Sequence, residues 1–230
     1  MRTPDKNRTL RILRDRGIPV ETVLDVGVLY GTPELMKAYP DKFHVLFEPV
    51  QEFNASIKDK YAHIPHKLEN IALSDRDGET RLEMRSIVPG MKVSHSTITT
   101  NDVVEDGKTY RTVPVSTIDN YLAKNPQPGP YFFKLDVDGF EMNILRGATE
   151  TLKNSSIVMV EASKRHLIER VSYVANAGFE LYDLAEPCYY DQSFWQCDAI
   201  FVRRDLQHKH FAQLGTDYDP KKYQKFADAE

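Results

Sequence analysis

The stretch Phe132-Phe133-Lys134-Leu135-Asp136-Val137-Asp138-Gly139-Phe140-Glu141 runs from apolar residues into two carboxylates, breaks at a glycine and turns into a helical pattern. Buried charge is costly unless it is paired or coordinated, so acids at the end of an apolar run point to chemistry as well as packing. In an open α/β sheet, ligands sit at the carboxyl ends of the strands. Asp136 and Glu161 close two consecutive apolar runs and are expected side by side at such a crevice. Asp138 also suits a turn, and Glu141 suits the first turn of a helix, where a negative charge favours the macrodipole. An acceptor that must lose a proton needs a nearby base, and the candidates are Asp136, Glu161 and then His166, which follows the second run closely.

A second constellation lies earlier, at Asp25-Val26-Gly27-Val28-Leu29-Tyr30-Gly31. Glycines after a β-rich run let the backbone approach a ligand, and the helix that follows presents free amides. Glu48 closes the next apolar run about 20 residues on, the interval expected of an acid that binds ribose hydroxyls. The spacing is not G-x-G-x-x-G, so the dinucleotide fingerprint is absent. Asp25 reads either as a satisfied turn residue or as a carboxylate near a ligand's charged head. An acid there suits a sulfonium or ammonium group and repels pyrophosphate, which favours S-adenosylmethionine over NAD.

These residues require a sheet to position them. Thr22–Val26, His44–Phe47, a segment near Asn70–Leu73, Phe132–Leu135 and Ile157–Glu161 read as buried strands. Helical patterns over 9–17, 33–39, 52–61, 117–122, 141–154 and 167–177 alternate with them. Phe179–Leu184 and Asp198–Val202 follow with no helix between them and are expected to pair antiparallel at one sheet edge. Thr80–Met84 and Arg111–Val115 form another expected antiparallel pair, joined by a polar loop from about Val88 to Gly107. The pattern predicts an α/β fold with a doubly wound sheet, mostly parallel, an antiparallel final strand pair and a β-hairpin insertion at residues 78–116. Residues 1–204 read as a single domain with an N-terminal helix, and 205–230 as a polar tail.

Across 230 residues, 41% hydrophobic and 28% charged content allow a sizeable core without disulfides, and two cysteines are too few for a disulfide framework or a thiolate zinc site. A net charge of −4 gives no footprint for nucleic acid or anionic membrane. No apolar run is long enough to span a bilayer, and the charged start is not followed by a signal core, so the expected location is cytoplasmic. Oligomeric state leaves no mark in the sequence.

The chain resembles the FkbM family of S-adenosylmethionine-dependent methyltransferases. The resemblance rests on Val23-Leu24-Asp25-Val26-Gly27 with Gly31, Phe47-Glu48-Pro49, and Asn70-Ile71-Ala72-Leu73-Ser74 with Gly78. It continues through Val115-Ser116-Thr117-Ile118-Asp119, Lys134-Leu135-Asp136-Val137-Asp138-Gly139, Glu141, Leu145-Arg146-Gly147-Ala148 and Glu161, in the family's order. It implies a Rossmann-like methyltransferase sheet with S-adenosylmethionine as cofactor. Asp25, Gly27 and Gly31 would line the cofactor's methionine end, and Glu48 would hold the ribose. Asn70, Ala72, Leu73 and Ser74 would frame the adenine, and Asp136 would face the reacting end. Val28-Leu29 stands where the family usually carries alanine and asparagine, so Tyr30 or Thr32 would supply the polar contact; Asp138 stands where glutamate is usual.

The expected reaction is O-methylation of a small molecule or sugar by in-line displacement. His95, with Ser94, Ser96 and Thr97, would meet the acceptor from the long loop. Tyr189, Tyr190 and Trp195 would offer it an aromatic platform between the last two strands. A magnesium ion held by Asp136, Asp138 and Glu161 is the less favoured way to activate the acceptor. The competing readings are a cofactor-binding scaffold without turnover and a nicotinamide-dependent oxidoreductase.

Overall fold

The computed structural model describes residues 3–86, 90, 93, 95–99, 105–216 and 218–224. Asp5 caps helix α1 (Lys6–Asp15), accepting from the Arg8 amide at 3.3 Å, while Leu10 and Leu13 bury its inner face. Strand β1 (Thr22–Val26), helix α2 (Pro33–Ala38) and strand β2 (Phe43–Phe47) follow, then a 3-10 turn, helix α3 (Asn54–Lys60) and strand β3 (His66–Glu69). Strands β4 (Ala72–Leu73), β5 (Gly78–Arg85), β6 (His95–Thr99) and β7 (Thr109–Ser116) come next. After helix α4 (Ile118–Lys124) the chain forms β8 (Tyr131–Leu135), α5 (Glu141–Arg146), α6 (Thr149–Lys153), β9 (Ser155–Ser163) and α7 (Leu167–Asn176). It closes with β10 (Phe179–Tyr190), β11 (Ser193–Arg203) and α8 (Arg204–His210).

The main sheet has the order β10-β11-β9-β8-β1-β2-β3. β3, β2, β1, β8 and β9 are parallel, and β11 runs antiparallel to both of its neighbours. β1 and β8 are buried at every position, as strands covered on both faces must be. One face packs Leu24, Phe133 and Val160 under Ile118, Ile144 and Val174 of α4, α5 and α7. The other packs Val23, Phe132 and Met159 under Leu10, Leu35 and Leu206 of α1, α2 and α8. This is the doubly wound, Rossmann-like sheet expected. The chain runs from β1 outward to β3, then crosses back to β8, so the order reverses between β1 and β8. Such a switch point opens the crevice where ligands bind in this architecture.

The insertion is a second sheet of order β4-β7-β5-β6. Its pair β5–β7 is antiparallel as expected, with Leu82 opposite Arg111. Four local expectations change. The segment read as one strand near Asn70 divides into β3 in the main sheet and β4 in the second. The long loop contains a strand, β6, bonded along β5 with Leu82 opposite Ile98. The helix read over 141–154 breaks at Gly147, where a Cβ would lie 2.4 Å from the Ser74 carbonyl oxygen. The last chain segment begins as helix α8, held by buried Leu206.

Among the described residues, no helix is long and apolar enough to cross a membrane. Gly147 lets the turn after α5 pack closely on the backbone that follows β4. Gly147→Ala should lower stability by about 1–3 kcal/mol through overpacking, read as a fall in the urea unfolding midpoint.

Candidate functional site

The parallel register places Asp25 of β1 opposite Lys134 of β8, so both side chains project from the same face. Both are buried, and Lys134 Nζ lies 3.0 Å from Asp25 Oδ1. The same ammonium donates to the Gly27 carbonyl at 2.7 Å and sits 3.7 Å from Asp136 Oδ2. Tyr61 donates its hydroxyl to Asp25 Oδ2 at 3.3 Å. Burial acts to lower the Lys134 pKa, but the Asp25 and Asp136 carboxylates outweigh it and hold the pKa above the ordinary lysine value. One cation therefore ties together the strand end, the glycine turn and the carboxylate at the switch point.

Gly27 adopts φ 81°, and a Cβ there would lie 1.7 Å from the Asp136 carbonyl oxygen. Only glycine permits the two strand ends to meet so closely. Leu29, at φ 52°, occupies the left-handed region that asparagine tolerates and leucine resists. Its amide donates to Glu48 Oε2 at 2.8 Å, while Glu48 Oε1 accepts from the Val50 amide at 2.9 Å. Burial pushes the Glu48 carboxyl up to about 7, although these two amide bonds favour its ionised form. Asn70 stands behind it, donating to the Glu48 carbonyl at 2.8 Å and pairing with the Asn54 amide.

A crevice opens over these strand ends. Gly27, Leu29, Glu48, Ala72, Leu73 and Asp136 contribute to its wall. Phe47, Ile71, Val137 and Phe140 make it largely apolar, and Leu82 and Ile98 close it from the second sheet. Asp25 lies beneath this wall, neutralised by Lys134, and does not reach the crevice. Asn70 and Ser74 also lie behind the wall, Ser74 with its hydroxyl on Asp75 at 3.2 Å. Tyr30 turns away, its hydroxyl on the Val93 carbonyl at 3.2 Å and its ring edge-on to Phe53. Gly31 packs against Lys60, and Thr32 donates its amide to the Tyr61 hydroxyl.

A second chamber adjoins the first. The two share His95, Ser96 and Thr97 of β6 together with Asp138, and Thr97 Oγ1 lies 3.4 Å from the Asp138 carbonyl oxygen. Glu161 and His166 line the second chamber, separated from Asp136 in the first. Glu161 Oε1 accepts from Gln196 Nε2 at 2.6 Å, and His166 Nδ1 is 3.1 Å from the Ser163 hydroxyl. Burial, reinforced by Asp136, Glu141, Asp198 and Asp138, pushes the Glu161 carboxyl up to about 8. Burial likewise raises Asp138, against the opposing charges of His95 and Arg85.

Glu141 is fully buried and ion-paired with Arg170, which also donates to the Glu161 carbonyl. Its other oxygen accepts from the Val137 and Gly139 amides, each at 3.3 Å, so it pins the turn that carries Asp138. The aromatic segment proves to be the hairpin itself: β10 and β11 continue through it and turn at Asp191-Gln192. Tyr189, Tyr190 and Trp195 are 67%, 76% and 46% exposed and line neither chamber. They pair on the hairpin surface, Tyr190 with Trp195 and Tyr189 with Phe194. Ser94 lies outside the described residues. No group of three or more His, Cys, Asp or Glu side chains arranged to hold a metal occurs among the described residues.

Sequence reasoning passed over Lys134, Arg170 and Gln196. Lys134 carried a signal, a cation inside an otherwise apolar strand. Gln196 carried none, because its role depends on which strand β11 joins.

The model of the methyltransferase FkbM domain matches residues 25–181. Comparison with curated proteins returned no match. Among solved structures, the chain is similar to a precorrin-6y C5,15-methyltransferase from Geobacter metallireducens, at 12% identity and TM-score 0.45, covering 86% of this chain and 85% of that one. It is similar to magnesium protoporphyrin IX methyltransferase from Synechocystis, solved with bound SAM, at 9% identity and TM-score 0.47, covering 86% and 77%. It is also similar to the N-methyltransferase NodS from Bradyrhizobium japonicum, at 8% identity and TM-score 0.43, covering 86% and 93%.

Lys134→Met should destabilise the fold by about 3–5 kcal/mol, because it strands the Asp25 charge in the interior. Combining it with Asp25→Asn should recover part of that loss, as measured by urea unfolding of both variants.

Proposed function

The chain belongs to the FkbM methyltransferase family, and we propose that it methylates a hydroxyl of a small molecule or sugar with S-adenosylmethionine as the methyl donor. The observation that carries this reading is the crevice at the switch point, where the Gly27 turn and the Glu48 carboxylate face the same space. The residues fit such a cofactor. Each Glu48 oxygen takes one backbone amide and keeps a lone pair for a ribose hydroxyl. Ile71, Ala72 and Leu73 offer an apolar slot for a purine. Asp136 and Asp138 supply negative charge on the wall, which attracts a sulfonium and repels a pyrophosphate.

When bound, S-adenosylmethionine supplies an activated methyl group on a sulfonium, which leaves as a neutral thioether. The protein's own task is then positioning, which supplies much of the acceleration in a displacement between two bound partners. Lys134 holds the Gly27 carbonyl and lies close to Asp136, so the turn and the carboxylate keep a fixed relation. Asp136 faces the reacting end as the charged group at the crevice floor. Glu161 and His166, in the adjoining chamber, are the bases within reach of an acceptor proton.

Isothermal titration with S-adenosylhomocysteine, S-adenosylmethionine and NAD tests the reading. The first two should bind, and binding of NAD alone would overturn it. Glu48 titrates near 7 in the folded protein, above its ordinary value. Its ionised form, the one that accepts two hydroxyl protons, is therefore gained as pH rises through that value. Affinity for S-adenosylhomocysteine should climb from pH 6 to pH 8, and Glu48→Gln should lose both that climb and about 10-fold in affinity. A variant that kept wild-type affinity and pH dependence would remove Glu48 from the cofactor site.

A further inference from the structure

We propose that the second chamber is the acceptor site, that it takes a hydroxyl-rich, saccharide-like acceptor, and that Gln196 is the positioning residue that aims Glu161 at the acceptor hydroxyl. This rests on the methyl-transfer reading and names the substrate class of the same site.

The two chambers differ in the side chains that line them. The first is walled largely by apolar side chains. In the second, every described lining residue except Gly139 has a polar or charged side chain. An apolar acceptor would strip water from these groups and return no hydrogen bond to them. A polyol returns donors and acceptors together, which suits a wall mixing carboxylates such as Glu83 and Glu161 with Arg85, Ser163 and His166. The exposed aromatics of the β10–β11 hairpin line neither chamber, so a ring stacked on them lies outside both. The chambers meet at β6 and Asp138, so an acceptor in the second lies beside the reacting end of a cofactor in the first.

Glu161 is built as the base of this chamber. Its Oε1 is held by Gln196, and among the described residues no donor is bonded to its Oε2. Gln196 reaches it because β11 lies antiparallel against β9, with Gln196 opposite Ser163. The charged and titratable groups around Glu161 are Asp136 and Asp138 from the turn after β8, Glu141 from α5, Asp198 from β11, Arg170 with His166 from α7 and its start, and, across the chamber, Glu83 and Arg85 of β5 and His95 of β6. Burial first, and then the neighbouring acids, keep the carboxyl protonated to a higher pH than usual. As the acceptor oxygen forms its bond to the methyl carbon, the carbon–sulfur bond breaks with its electron pair remaining on sulfur. The hydroxyl proton passes to Glu161.

The test uses the full chain with S-adenosylhomocysteine present and saturation-transfer NMR as readout. Methyl α-glucoside, methyl α-rhamnoside and methyl α-glucuronoside are set against octanol and guaiacol. At least one glycoside should show saturation transfer that weakens on Gln196→Leu and Glu161→Gln but persists at raised glycoside concentration, and neither apolar alcohol should show it. With S-adenosylmethionine, methylation of that glycoside should rise with pH through about 8. Glu161→Gln should reduce turnover about 100-fold or more while S-adenosylhomocysteine still binds. Gln196→Leu should lower kcat about 10-fold and move the limb of the pH profile upward, because the lost donor favoured the ionised carboxylate; a merely structural role would leave the limb in place. Binding of the apolar alcohols alone, or of no glycoside, would overturn the substrate class. Full turnover by Glu161→Gln, or an unmoved limb in Gln196→Leu, would overturn the assigned roles. Glycoside binding without any binding of S-adenosylhomocysteine would leave the chamber standing as a saccharide site and defeat the methyl-transfer reading instead.

Discussion

The contact between Lys134 and Asp25 is the constraint on which the site depends. Two opposite charges face each other in the parallel ladder between β1 and β8, out of water on both sides. Neither can be left alone there without a large desolvation cost. The ammonium has more donors than Asp25 uses, and it applies them to the Gly27 carbonyl and toward Asp136. The position of the glycine turn is thus bound to the same charge that keeps β1 and β8 in register. A shift of one residue between these strands would break the ion pair and the Gly27 contact together. The arrangement of chemistry and the arrangement of the sheet share one bond.

A similar device operates nearer the sheet edge. Lys6 of α1 gathers Asp198, Glu186 and Glu34 at 3.1, 3.2 and 3.4 Å. Asp198 lies opposite Glu161 in the ladder, so two acids meet across β9 and β11. Lys6 answers one of them, and Gln196 offers the other only a neutral hydrogen bond. Of the acids at these strand ends, Asp25, Glu141 and Asp198 are matched by Lys134, Arg170 and Lys6. Burial and the neighbouring carboxylates raise the affinity of Glu161 for a proton, and no side-chain ion pair offsets them among the described residues.

Much of the fold was legible in the sequence because buried parallel strands are short apolar runs, and helices between them keep the 3.6-residue period. β1, β2, β8 and β9 followed from that pattern, and so did the carboxylates at their ends. Glu48 and Gly27 were legible for the same reason, since a crevice residue must follow a strand. Asp25 was misplaced because a sequence does not show which residue lies opposite in the ladder. β6 was read as loop because half-buried His95-Ser96-Thr97 lacks apolar alternation and is held by its pairing with β5. The aromatic segment was read as a connection because alternation at the tip of a long hairpin resembles a cluster. What escaped detection was pairing across distance, which leaves no periodic trace in the chain.

The placement of β11 bears on the order in which the molecule can assemble. β10 precedes β11 in the chain but lies outside it in the sheet, so β10 has no partner in the main sheet until residues 193–203 return between it and β9. The first crevice draws its wall from residues 26–140 and can close around an earlier portion of the chain. The polar chamber needs Gln196, and it becomes complete only when the last strand is inserted. Non-local pairing of this kind is the slow part of building a sheet. A nascent chain would thus gain the first crevice early and the polar chamber last.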